Sequence, residues 1–223
     1  MAIQRSTRND QATRRNATIR MPAAIRARTI GAVREQARTC KRCPLWKRAT
    51  QTVFGEGSPK ADVVFIGEQP GDAEDLAGKP FVGPAGKLLD RALVEAGIDR
   101  TKVYVTNAVK HFKWDAKGKR RMHHKPNAQE IAACRVWLDA ELELLKPRVV
   151  VCLGATPAQA LLRKDFKVSR ERGQWIPSPL AQHVIATVHP SSILRSPDEE
   201  TRHAEMRHFV EDLKEVARVI NGS

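Results

Sequence analysis

The stretch 61-ADVVFIGEQPGD-72 decides how the rest of the chain is read. Val63, Val64, Phe65 and Ile66 form an apolar run with no polar alternation, the pattern of a strand buried on both faces. A Gly/Pro-rich loop, 68-EQPGDAEDLAGKPFVGPAG-86, follows directly, and then a helix with Leu88, Leu89, Ala92, Leu93 and Ala96 on one face. The same strand pattern returns in 103-VYVTNAVK-110, 148-RVVVCLG-154 and 183-HVIATVHP-190. Helical signals lie between these runs. Asn127 with Glu130 makes a capping-box start for a helix to about Leu145, Thr156 is suited to cap 157-PAQALLRK-164, and an amphipathic helix over 198–219 closes the chain. Strands without alternation, separated by helices, predict an α/β fold: a three-layer α/β/α sandwich with a central four-stranded parallel sheet.

In such a sheet ligands bind in the crevice beyond the carboxyl ends of the strands. The chemically suggestive residues fall there: 68-EQPGD-72 after the first strand, Asn107 near the end of the second and His189 at the end of the fourth. The loop after the first strand lets backbone N–H groups, Gln69 and Asp72 approach a ligand closely, and an ordinary tight turn explains it equally well. No Gly-Lys-Ser/Thr follows it and GxGxxG is missing, which argues against a nucleoside-triphosphate site. Phe81, in a loop among glycines, is either a stacking platform for a base or a core residue. Asn107 carries donor and acceptor together and suits a base edge, or else caps a strand end. In 187-TVHPSSILR-195, His189 is placed to donate to a developing anion, Ser191 and Ser192 to reach phosphates, and Arg195 to add charge.

Charge points to the partner. Lys and Arg number 39 against 25 Asp and Glu, a formal net charge of +14 with a pI near 10.1, which favours polyanions and makes nucleic acid the leading class. With no apolar run of about 18 residues and no apolar core near the N-terminus, the reading is a cytoplasmic protein with no membrane partner. Residues 1–28 hold seven Arg, one acid and few large apolar residues, so a disordered basic arm is expected, followed by one domain over 29–220. A monomer is expected. Within 119-KRRMHH-124, in a polar loop after the second strand, three readings stand: a phosphate grip, a histidine pair for a metal, or covalent chemistry by an imidazole. Metal is the weakest, because the ion would sit among cations.

Four cysteines occur: Cys40 and Cys43 as CxxC after a short helical pattern, Cys134 in a helix, and Cys152 in a strand after 17 intervening residues. A zinc ribbon offers two close pairs, whereas an iron-sulfur cluster accepts scattered thiolates. The wide split favours a cluster. The alternative keeps Cys134 and Cys152 as small buried hydrophobes.

Taken together, CxxC at 40 and 43, GEQPGD at 67–72, PFVGPAG at 80–86, TNAVKHF at 106–112, KRRMH at 119–123, the Cys134 and Cys152 pair and HPSSILR at 189–195 resemble the iron-sulfur uracil-DNA glycosylases, and within them the UdgX type. The resemblance implies a [4Fe-4S] cluster on Cys40, Cys43, Cys134 and Cys152, and uracil-containing DNA, single- or double-stranded, as the partner. It implies a flipped uracil held at Gly67 and Glu68, stacked on Phe81 and read by Asn107. His189 would stabilise the leaving uracil anion, Gln69 and Asp72 would orient the reacting centre, and Lys119, Arg120, Arg121, Ser191 and Arg195 would hold the DNA. His123 would then attack the sugar carbon and leave protein joined to DNA in a single turnover. His124 stands beside it, and the register of KRR-x-His selects His123. Two other readings remain: a conventional turnover glycosylase, and a non-catalytic iron-sulfur DNA-binding module.

Overall fold

The computed structural model describes residues 21–222. Its centre is a mixed sheet of five strands in the order β1-β3-β2-β6-β7: β1 (Glu56–Gly57), β2 (Val63–Gly67), β3 (Val103–Asn107), β6 (Val149–Leu153) and β7 (His183–Thr187). The four strands expected from sequence are parallel to one another, as predicted. A fifth is added, because β1 pairs antiparallel with the edge of β3. Two residues, one a glycine, carry no period by which to predict it.

Helices cover both faces. On one side lie α3 (Pro84–Glu95), α7 (Pro190–Leu194) and α8 (Glu199–Asn221), and Phe65, Leu89, Leu93, Val151 and Leu213 share one apolar cluster. On the other, α4 (Ala128–Leu145) and α5 (Ala155–Leu161) bring Leu138, Leu142 and Ala158 against Val64, Ile66, Val150 and Val184. Successive strand residues therefore feed opposite cores, which is why the strands read as unbroken apolar runs. A third cluster joins α1 (Ile30–Ala37) to α4 through Val33, Ala37, Val109 and Trp137. The short α2 (Asp72–Ala77) and α6 (Val168–Glu171) complete the helices. No helix among the described residues is long and apolar enough to cross a membrane.

Four local expectations are corrected. The capping box of Asn127 with Glu130 is present on α4, but Thr156 caps nothing: α5 begins at Ala155 after Gly154, whose φ is 92°, and the Thr156 hydroxyl goes elsewhere. The second strand stops at Asn107 rather than running to 110. The polar loop holding KRRMHH is a β-hairpin, β4 (Trp114–Lys117) with β5 (Arg120–His123), turned over Gly118 and Lys119, with Gly118 at φ 60°. Residues 1–20 of the expected arm lie outside the described residues, while within 21–28 Ile25 is buried against the α1–α4 cluster instead of lying free.

From the central strand β2 the chain adds β3 on one side, then crosses to place β6 on the other. Loops after β2 and β6 thus diverge at a topological switch point, which opens a crevice between them.

Candidate active site

Gly67 ends β2 opposite Asn107 at the end of β3. A Cβ on Gly67 would lie 2.3 Å from Asn107 Oδ1, 2.9 Å from Phe81 Cζ and 3.4 Å from His189 Nε2. Only a residue without a side chain lets these three groups converge, and the three residues line a cavity of about 770 Å³, enough for a flat heterocycle with its sugar.

Each wall is held from behind. Phe81 adopts φ 56°, a left-handed conformation unusual for a bulky residue, and its carbonyl sits where a Cβ on Gly86 would be, 1.6 Å away. Glu74, buried beneath, accepts from the Gly71 N–H at 2.6 Å. Burial raises its carboxyl above the ordinary value, against backbone N–H groups of Gly71, Phe81 and Gly83 that pull the other way. The Phe81 and His189 rings are 6.1 Å apart and tilted by 32°, an open jaw rather than a stack. Behind Asn107, Lys110 Nζ donates to the Asn107 carbonyl at 2.8 Å and to buried Glu141 at 2.5 Å. Asn107 Nδ2 is buried with no hydrogen-bond partner. An unmet amide donor costs about 1–3 kcal/mol, which a ligand carbonyl would offset.

His189 caps the short α7, and its Nδ1 accepts from the Ser191 N–H at 3.1 Å, with the Ser191 hydroxyl at 2.8 Å. The neutral ring therefore carries its proton on Nε2, the nitrogen nearest Gly67. Burial is the main cause that pushes His189 down to about 4, so the ring is neutral at neutral pH and works as a donor, not as a cation. Ser191 and Arg195 line the same cavity, though Ser191 also serves His189.

Across the mouth stands the hairpin. Gln69 clamps it at both roots: its Nε2 donates to the carbonyls of Lys113 and His124, each at 3.1 Å, and its Oε1 accepts from the Lys113 N–H at 3.1 Å. Arg121 reaches Asp72 at 2.5 Å and the wholly buried Asp75 at 2.7 Å, and lies over the rings of Phe112 and Trp114. Its guanidinium is thus committed to the protein, unlike exposed Lys119 and Arg120. So held, β5 sets His123 Nε2 at 3.3 Å from Glu68 Oε1, on the rim of the cavity. Thr156 donates its hydroxyl to the other Glu68 oxygen. Burial would raise the Glu68 carboxyl, but His123, Thr156 and Lys125 together hold it below its ordinary value. His124 lies instead 3.9 Å from Asp115 on the hairpin itself.

Gly67, Glu68, Gln69, Asp72, Phe81, Asn107, His123, His189, Ser191 and Arg195 are therefore gathered around one crevice. Sequence reasoning missed Glu74, Asp75 and Thr156. The sequence placed 72-DAED-75 in a Gly/Pro-rich loop, and only the backbone traced around it shows Glu74 and Asp75 buried.

The cysteines divide. Cys40, Cys43 and Cys134 share the α1–α4 cluster, whereas Cys152 packs between β6 and α4 with Ile66, Leu138 and Ala186. Trp137 Nε1–H donates to Cys40 Sγ and the Lys110 N–H to Cys134 Sγ, both at 3.1 Å. Burial pushes Cys134 up to about 12, with Lys110 opposing. Next to Lys110, His111 is buried, its Nε2 3.0 Å from Thr52 Oγ1 and its Nδ1 without a partner. Thr52 in turn donates to the Ala37 carbonyl, which also receives the Cys40 N–H, so His111 stands between the CxxC and Cys134. Among the described residues no three His, Cys, Asp or Glu side chains form a ready site for a single ion. Three thiols, two of them with N–H donors to sulfur, beside an orphaned imidazole nitrogen, suit a larger inorganic group.

Residues 54–214 match the model of the uracil DNA glycosylase superfamily. The chain is 38% identical to a type-4 uracil-DNA glycosylase of Thermotoga maritima over 84% of this chain and 93% of that protein. It is 35% identical to one of Sulfurisphaera tokodaii (74% and 76%) and 32% identical to a type-5 uracil-DNA glycosylase of Thermus thermophilus (79% and 82%). With the matched region spanning all of the crevice, the chain belongs to the uracil-DNA glycosylase superfamily.

Proposed function

We propose that the protein excises uracil from DNA and becomes joined to the resulting sugar through His123. Base excision rests on the convergence of Asn107, Phe81 and His189 over Gly67 and on the relatives named for it. A flipped uracil would lie on Phe81, with the unmet Nδ2–H of Asn107 on a carbonyl and Nε2–H of His189 on the oxygen where negative charge gathers as the glycosidic bond breaks. The neutral His189 donates without adding a proton to the leaving base.

The observation that carries the covalent step is the Glu68–His123 pair on the cavity rim. With one ring nitrogen donating to the Glu68 carboxylate, the other keeps its lone pair for the sugar carbon that the uracil leaves. The new carbon–nitrogen bond makes the ring cationic, and the carboxylate stabilises that charge or takes its proton. Exposed Lys119, Arg120 and Arg195 would steady the DNA, with Arg121 acting by holding the hairpin. A gel of protein with a uracil-containing oligonucleotide tests the reading: a heat- and detergent-stable band is expected, lost in His123→Ser with uracil release then turning over, and kept in His124→Ser. Identity of 35–38% to type-4 relatives favours the second reading, ordinary turnover, which predicts free uracil in excess of protein and no such band.

The resemblance also brings a [4Fe-4S] cluster, and the arrangement of Cys40, Cys43 and Cys134 with His111 supports these four as its ligands, with Cys152 left as a core residue. Bound there, it would cross-link α1 to α4 without any redox step in the reaction.

A further inference from the structure

A second cavity, of about 650 Å³, opens beside the first, and Lys125 and Thr156 line both. It runs between the first turns of α4 and the α5 region. Ala128, Ile131 and Ala132 supply apolar surface, and Lys125, Arg135 and Lys164 supply charge. Arg135 is occupied by Asp139 at 2.5 Å and by the Ala160 carbonyl at 2.9 Å. Lys125 and Lys164 are exposed and have no ion-pair partner among the described residues. The groove therefore joins an apolar wall to two ammonium groups without ion-pair partners among the described residues, and it shares Lys125 and Thr156 with the base cavity.

We propose that this groove holds a nucleotide adjoining the flipped uridine on the same strand, its base or sugar against Ile131 and Ala132 and its phosphate at Lys164. The inference rests on the uracil-DNA reading and extends it from the base to the strand. Anionic phosphate with an apolar ring matches the lining, whereas a free anion would leave the apolar wall uncovered. Lys125, which also bears on Glu68, would contact the phosphate between the two nucleotides.

The test uses single-stranded oligonucleotides carrying a fluorinated deoxyuridine whose glycosidic bond resists cleavage, trimmed one nucleotide at a time from either end. For the unaltered protein, removing the neighbour on one side is expected to weaken binding about three- to tenfold, and removing it on the other side less. Lys164→Glu should weaken binding to the untrimmed strand by a similar factor and lower the salt dependence by roughly one phosphate contact, with the one-sided trimming penalty lost. Lys60→Glu, the same charge change before the opposite end of β2, should keep that penalty. If Lys164→Glu weakens trimmed and untrimmed strands equally, the charge acts only as a general field and the groove assignment is overturned. Equal penalties from both ends overturn it as well. Failure of the parent reading looks different: strands with and without uracil would bind alike at every length.

Discussion

Gly67 and Asn107 end strands in which every residue is buried, whereas His123 ends a hairpin strand in which none is. Around the base cavity, positions follow from the backbone of a parallel sheet packed on both faces, and side chains only refine them. At the rim the backbone has no such support. The hairpin is placed by side chains reaching out to it: Gln69 at its roots, and Asp72 and Asp75 through Arg121. One half of the site is thus rigid by construction, and the other is a separately latched arm. Recognition and bond formation should accordingly be separable by mutation.

The largest effect expected is on the rigid half. Gly67→Ala drives a methyl group into Asn107, and His189→Ala removes the proposed donor to the leaving base. Each should lower uracil release by about 10²–10³-fold in single-turnover assays. Loss of adduct with full uracil release in either variant would break the comparison. Next comes the latch. Gln69→Ala should slow adduct formation by roughly ten- to a hundredfold, the effect of displacing a reacting group by about 1 Å, and leave uracil release within a few-fold of normal. Equal loss of both would show that the hairpin also shapes base binding. Arg121→Met should leave Asp75 buried without its cation, costing about 3–5 kcal/mol in urea unfolding, whereas Arg120→Met, on the exposed side of the hairpin, should cost under about 0.5 kcal/mol.

A smaller change is expected at the α1–α4 junction, remote from the crevice. There His111→Ala should lower iron content and visible absorbance, and Cys152→Ala should not; the reverse result would restore the four-thiolate set. The smallest effect is on pH. The unfolded chain protonates His189 near 6.5 but the folded chain only near 4, so the unfolded state binds more protons between those values. Stability is therefore full above about pH 6.5 and falls as pH drops towards 4, and thermal unfolding at a series of pH values should show a shallower acid loss in His189→Asn.

Much of this could be read from the chain. The four parallel strands, the capping box on α4 and the meeting of the 68–72 loop, Asn107 and His189 in one crevice follow from apolar runs and from where loops must lie relative to strand ends. Other features were not legible for identifiable reasons. The hairpin is polar on both faces, so it has no hydrophobic period, although Gly118 between two four-residue arms was a turn signal available to see. Arg121 reads like its neighbours Lys119 and Arg120, yet alternation along β5 turns it inward onto Asp75. Cys152 completes an attractive count of four thiols, but strand alternation aims it at the apolar layer beneath α4.

By itself the sequence determined the layers of the sandwich, the crevice at the strand ends and the residue types available there, because these depend on hydrophobic pattern and local chain geometry. Tertiary structure decided which of those residues meet: Glu68 with His123, Arg121 with Asp75, and Cys40 and Cys43 with Cys134 but not with Cys152. Such pairings join segments dozens of residues apart, and a side chain's partner across that distance is fixed by packing, which no local pattern encodes.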